Sequence, residues 1–413
     1  MFKLSPVFKA VLIGVVVSIG LWFLLPQELE LARKIPAYFA TVSMMSMSAA
    51  IVISCRPKWL DKALGGIDKA YVWHKWLGIA GLLGASFHWL LVPGPAGNSA
   101  FPAFTEFGEE MGQWAVYGLL LIGGVSMVRR LPYRIWFYTH KLMAPIFLVS
   151  VYHTFFSDVP FELTTITGLS LALVSLVGIA GIIYKSFLVK KSYKQYQVVE
   201  VRAIGDAVAV QMVPINDAID YEVGQFAYLD FGFEKIEHFH PFTIVSNPEN
   251  KNLSFIIRNL GQHTAKLQTE LKVGQMVTVD GGYGQLSNHK KDSKPQVWIA
   301  GGIGITPFVA WLSAKTSSEQ EIHLFYMGRG EFYESMSEWV KKECGKVGVQ
   351  FYSKSDLDRR LDASVIKSKL NNSISEYQMF GCGPVEMLED IKQGLVKQGM
   401  QEEQWHNENF VMR

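Results

Sequence analysis

Four histidines, His74, His88, His140 and His153, carry the ligand chemistry of the first half of the chain, and each lies inside a long apolar run. An imidazole taken out of water needs partners for its ring nitrogens, so any one of them alone reads as a hydrogen-bonded core residue or a relay group. Their spacing argues for more. His74 and His88 are 14 residues apart, and His140 and His153 are 13 apart. At about 1.5 Å of rise per helical residue these steps cover roughly 21 and 20 Å. Two helices entering from the same side would bring His74 opposite His140 at one depth and His88 opposite His153 at the other. Facing imidazoles can fill both axial positions of a haem iron, so the four residues are expected to hold two b-type haems.

Helical phase adds a condition. A step of 14 returns to within about 40° of its starting face, whereas 13 ends about 140° away. The second helix must therefore be irregular, and Pro145, between His140 and His153, is the residue that can kink it. Phe147 lies midway along this stretch and is expected either in lipid or core packing or between the haems. Lys75 and Lys141 each follow a histidine and can neutralise haem propionates or reach to the interface.

A second set of residues lies after position 240. The chain reads HPFTIVS from His240, FIIRNLGQHT from Phe255, GGIGITPF from Gly301, FGCGP from Phe380 and ENFVMR from Glu408. Gly261 to Thr264 would open a helix whose first amides, with the Thr264 hydroxyl, can hold a pyrophosphate; an ordinary capped helix is the alternative. GGIGITPF follows the apolar run VWIAGG and opens another helix, the context of a phosphate-binding turn, with Gly302 and Gly304 allowing close backbone approach; a strand-to-helix turn without a ligand is the alternative. The third glycine of the dinucleotide fingerprint is missing and Pro307 stands nearby.

These residues need elements to position them. The chain has 413 residues, 49% of them hydrophobic, and a mean hydropathy of +0.16. The apolar excess falls before residue 190, in six runs long enough to cross a hydrocarbon core of about 30 Å: Val7 to Leu25, Pro36 to Cys55, Ala70 to Val92, Gly112 to Val128, Ile135 to Phe156 and Leu163 to Tyr184. With the N-terminus in the cytosol, one side carries Lys3, Arg56, Lys58, Lys62, Lys69, Arg129, Arg130, Arg134, Lys185, Lys190, Lys191 and Lys194, against Arg33 and Lys34 on the other. This bias predicts a multi-pass protein with everything after residue 190 cytosolic. Beyond Lys194, short alternating strands separated by Gly, Asn, Asp and Pro predict an antiparallel β-barrel ending near Leu286. From Pro295, strands alternate with helices, which predicts a doubly wound parallel sheet. The expected domains are 1–190, a transmembrane haem bundle of six helices; 191–288, the barrel; and 289–413, the α/β nucleotide domain. A net charge of +2 without a basic tract argues against nucleic acid as a partner. Three cysteines, Cys55, Cys344 and Cys382, argue against a disulfide framework.

HPFT, the four histidines and the later motifs, in this order, resemble the NADPH oxidase and ferric reductase superfamily, in which a membrane cytochrome is joined to a ferredoxin-reductase-like dehydrogenase. The likeness spans nearly the whole chain, and its compact length is most similar to bacterial NADPH oxidase homologues, implying a bacterial cytoplasmic membrane. It implies FAD as cofactor, with Phe242 against the flavin ring, Thr243 near the ring N5, and His240, Pro241, Gly261 and Thr264 completing the flavin site. It implies NADPH or NADH at Gly302, Gly304, Thr306, Pro307, Gly381 and Cys382, with Cys382 beside the hydride path. Arg329 stands where a 2′-phosphate partner would choose NADPH, and is equally an ordinary surface arginine. Phe410 corresponds to the terminal aromatic that covers the flavin face. The implied activity is electron transfer from NAD(P)H through FAD and two haems to oxygen, forming superoxide, in contact with lipid and without an obligatory protein partner. A ferric reductase on the same path is the nearest alternative. A nucleotide-sensing channel and an electron-transfer component serving a partner protein are the others.

Overall fold

The structure, a computed structural model, describes residues 6–94, 99–128, 130–233, 239–286, 294–315 and 320–408. The chain divides into two compact units, residues 1–60 with 69–189, and residues 61–68 with 190–413.

The first unit is helical: α1 (Pro6–Leu24), α2 (Leu31–Ser54), α3 (Lys58–Leu64), which runs into the second unit, α4 (Ile67–Leu91), α5 (Thr105–Met127), α6 (Tyr133–Lys141), α7 (Met143–Phe156) and α8 (Ile166–Ile183). Among the described residues, Leu31–Ser54 and Ile166–Ser192 are long and apolar enough to cross a membrane. The expected fifth span is two helices, not one kinked helix. Pro145 has no N–H to donate to the carbonyl of Lys141 one turn back, and the chain breaks there, at Leu142 (φ −66°, ψ −12°). Small residues let α4 lie close to α2. A Cβ at Gly84 would stand 2.8 Å from the Phe39 carbonyl oxygen, and one at Gly81 would stand 2.9 Å from Met47 Cγ. Phe147 is buried in a cluster with Met44 and Leu171, and its ring fills the space that a side chain at Gly178 would take. That is the core-packing alternative.

The second unit begins with β1 (Lys194–Ile204), β2 (Ala207–Pro214), β3 (Phe226–Asp230), β4 (His240–Thr243), β5 (Leu253–Arg258), α9 (Gln262–Glu270) and β6 (Met276–Tyr283). These strands form one antiparallel sheet in the order β4-β3-β6-β1-β2-β5. The sheet curls until its edges meet at a single bridge, Ile244 to Phe255. This is a half-barrel where a barrel was expected: β4 is four residues long and carries Pro241, too short and too poor in donors to close a full ladder. Alternating residues of the strands fill its core, among them Tyr196, Val198, Val210, Leu229 and Phe255.

The chain then alternates β7 (Gln296–Gly301), α10 (Thr306–Ser313), β8 (Ile322–Met327), α11 (Glu331–Val347), β9 (Gln350–Ser353), α12 (Ala363–Lys369), β10 (Gln378–Cys382), α13 (Val385–Lys397) and β11 (Trp405–Asn407). The parallel sheet has the order β11-β10-β7-β8-β9. β7 is buried along its whole length and β8 along nearly all of it, because helices cover both faces. The strand order reverses between β7 and β10, so the carboxyl ends of these two strands flank the crevice where such sheets take ligands.

Candidate functional site

In the helical unit the four histidines face each other in pairs. The ring centroids of His74 and His140 are 6.0 Å apart, and those of His88 and His153 are 6.1 Å apart. His74 and His88 hang from α4 and are anchored on α2, where Nδ1 of His74 lies 2.9 Å from the Ala50 carbonyl and Nδ1 of His88 lies 3.0 Å from the Pro36 carbonyl. The acceptors are spaced as the histidines are, because the two helices run antiparallel in register. On α7, Nδ1 of His153 meets the Gly108 carbonyl at 2.9 Å. Gly112 makes room for that ring, since a Cβ there would lie 2.5 Å from Nδ1. His140 meets the Ser126 hydroxyl at 3.1 Å. A carbonyl only accepts, so His74, His88 and His153 carry the proton on Nδ1 and keep the lone pair on Nε2.

This donor set fits a haem. A metal–nitrogen bond of about 2 Å plus about 1 Å to each ring centre would put two imidazoles that share one metal roughly 6 Å apart. Among the described residues no group of three or more His, Cys, Asp or Glu could hold a metal ion.

In the half-barrel, HPFT is strand β4, paired along β3 from His240 opposite Leu229 to Thr243 opposite Phe226. Pro241 is tolerated because β4 is an edge strand. Thr243 is buried and Phe242 half-buried, with the Phe242 ring 6.3 Å from that of Phe231. His240 stacks on His263 of α9 at 3.8 Å. Gly261 caps α9, and the Thr264 hydroxyl accepts from the Leu260 and Gly261 amides at 2.9 and 3.1 Å and donates to the Gly261 carbonyl. That hydroxyl closes the helix start, as in the capped-helix alternative.

In the nucleotide domain the turn after β7 lies against the turn after β10. Gly302 has φ +54°, and a side chain at Gly304 would collide with the Cys382 carbonyl. Gly381 sits in β10 opposite Ile299. Thr306 and Pro307 are buried at the start of α10, with the Thr306 hydroxyl donated to the Ile303 carbonyl at 3.0 Å. Burial pushes the Cys382 thiol up, so it is a neutral S–H at physiological pH and not a thiolate. Arg329 is exposed after β8. Phe410 lies outside the described residues.

Two residues escaped the sequence reading. Arg258 at the end of β5 pairs with Asp206 at 2.9 Å and reaches the nucleotide turn, with Nη1 3.5 Å from where a Cβ of Gly302 would be. Glu408 is buried, and its Oε1 accepts from the amides of Gln285 and Leu286. Burial, with the carboxylates of Asp68 and Asp61, raises its pKa to about 8. Their signals were faint: the Arg in FIIRN and the Glu beside the terminal aromatic.

Residues 39–151 match the family described as ferric reductase like transmembrane component, and residues 191–306 match an FAD-binding domain. A relative described as ferric reduction oxidase 3, mitochondrial, from Arabidopsis thaliana is 27% identical over 216 residues, 50% of this chain and 28% of that protein. A superoxide-generating NADPH oxidase heavy chain from Dictyostelium discoideum is 27% identical over 245 residues, 50% of this chain and 33% of that protein. The chain thus spans about a third or less of these relatives. A flavohemoglobin from Malassezia yamatoensis shares the fold, with a TM-score of 0.51 and 17% identity over 92% of this chain and 99% of that one. The class so defined is a transmembrane component followed by a ferredoxin-reductase-like FAD-binding domain. Within that class the chain is similar to members of the NADPH oxidase and ferric reductase superfamily.

Proposed function

We propose that the chain is an NAD(P)H oxidase of a bacterial cytoplasmic membrane, moving electrons from NADPH or NADH across the bilayer to oxygen and forming superoxide, with FAD and two b-type haems as carriers. The observation that carries this reading is the two facing histidine pairs in a chain that also matches an FAD-binding domain. FAD supplies the change from paired to single electrons, and the haems supply single-electron relay. The protein's own residues bind and orient.

His74 with His140 and His88 with His153 would each hold the iron of one haem, which would supply one-electron relay. Phe242 and Thr243 orient the flavin ring, while His240, Gly261 and the amides opening α9 hold its phosphates. Gly302, Gly304, Thr306 and Pro307 admit the nucleotide phosphates, Arg258 supplies positive charge, and Arg329 meets a 2′-phosphate. Gly381 and Cys382 flank the nicotinamide, Phe410 covers the flavin face until nucleotide displaces it, and Glu408 holds a proton nearby. In this reading α1, α2, α4, α5, the α6–α7 pair and α8 are six spans, with the N-terminus and residues from 190 onward in the cytosol and domain limits near 190 and 288.

A ferric reductase is the second reading, favoured by Glu106, Glu109 and Glu110 at the start of α5, a negative surface able to gather cationic iron. The test is an anaerobic spectrum of the purified chain after NADPH addition, then oxygen with a superoxide trap. Two reduced haems per FAD and dismutase-sensitive dye reduction are expected; a reduced protein that oxygen does not reoxidise would defeat the oxidase assignment.

A further inference from the structure

The four histidines are not held alike. His74, His88 and His153 each meet a backbone carbonyl, whereas His140 meets a side chain, the hydroxyl of Ser126. A serine hydroxyl has one hydrogen. Ser126 gives it to the Ile122 carbonyl at 2.7 Å, so towards His140 it accepts. This fixes His140 as the Nδ1–H tautomer, with the Nε2 lone pair available to metal. Donating to Ile122 also polarises the hydroxyl and makes its oxygen a better acceptor. Trp136, one turn before His140, stacks on the ring at 5.2 Å and 16° and holds its plane.

We infer that Ser126 is a positioning residue for the haem of the His74–His140 pair: it takes the Nδ1 hydrogen bond of His140 and so sets the electron density that this ligand delivers to iron. The inference rests on the proposal that these histidines bind haem. An acceptor on Nδ1–H makes an imidazole more basic and favours ferric iron. Of the four partners, this one alone is a side chain, so a substitution can remove it and leave the other three in place. A serine that bonds only to the carbonyl four residues back is common in helices and would have no such effect.

The test uses the full-length, haem-loaded protein in lipid nanodiscs, with spectroelectrochemical titration and low-temperature electron paramagnetic resonance. In Ser126→Ala one midpoint potential should rise and the other stay. The expected size is roughly tenfold in the ferric-to-ferrous ratio at fixed potential, or about 59 mV for a one-electron couple, and one low-spin signal should move with it. Ser126→Thr keeps the hydroxyl and should restore wild-type values. Should the alanine variant lose one haem, recovery of that haem and its potential in the threonine variant supports the role, and failure to recover overturns it. Two haems with unmoved midpoints in the alanine variant, or equal movement of both, also overturn it while leaving haem binding intact. A wild-type chain that holds no haem defeats the haem reading itself, and this inference with it.

Discussion

At the scale of single residues, charge state decides what each group can do. Glu408 is buried and accepts two backbone N–H bonds through one oxygen, an arrangement that a neutral carboxyl also satisfies. Its pKa is raised from an ordinary 4.5 to about 8, first by burial and then by Asp68 and Asp61. A raised carboxyl pKa means that the folded chain holds a proton which the unfolded chain has released. The stability this group contributes is therefore full below about pH 4.5, declines as pH rises towards 8, and levels off above it. Glu408→Gln keeps the acceptor and removes the charge, so its unfolding midpoint should lack this group's decline and exceed wild type at pH 8, with a ceiling of about 5 kcal/mol. A wild-type midpoint that climbs from pH 5 to 8 would contradict this assignment. Among the histidines, His153→Ala should cut haem content from two per chain to one and leave flavin content unchanged, read by haemochromogen and flavin absorbance. Loss of flavin as well would make the change a folding defect.

At the scale of elements, the break between α6 and α7 turns a 13-residue step into a facing pair. The need for irregularity was legible from helical phase, and Pro145 was legible as its cause. The position of the break, Leu142, follows from which carbonyl loses its donor and not from where the proline stands. Pro145→Ala restores a donor for the Lys141 carbonyl, and continuing the helix would turn His140 away from His74. One haem per chain and a shifted spectrum are expected; two haems with wild-type spectra would mean that the loop before α6 sets the break. Packing partners were less legible. Gly81 and Gly84 read as ordinary helical glycines until α2 is laid against them, and Ser126 reads as a polar interruption until α6 brings His140 beside it. The half-barrel illustrates the same limit, because alternation marks strands but the length of β4 decides closure.

At the scale of the whole molecule, the order of parts was legible from hydropathy and motif order, since each depends on local composition. The inclusion of residues 61–68 in the second unit was not. It depends on contacts far apart in sequence, such as those of Asp61 with Gly284 and Gln285. Charge distribution at this scale also bears on the acceptor. Glu106 and Glu110 are exposed in the first turns of α5, where negative charge is favourable to the helix in any case. In the proposed topology they lie on the acceptor side with no lysine or arginine between Pro93 and Met111. Such a field repels an anionic ferric chelate, leaves neutral oxygen untouched and helps superoxide depart. Replacing Glu106 and Glu110 together by glutamine should raise turnover with ferric citrate under argon a few-fold at low ionic strength. The gain should vanish near 1 M salt, where the screening length falls to about 3 Å. Oxygen turnover should not change in either salt. A variant that slows free ferric iron reduction, while ferric citrate and oxygen rates stay at wild-type values, would show the carboxylates gathering metal and turn the assignment to a ferric reductase.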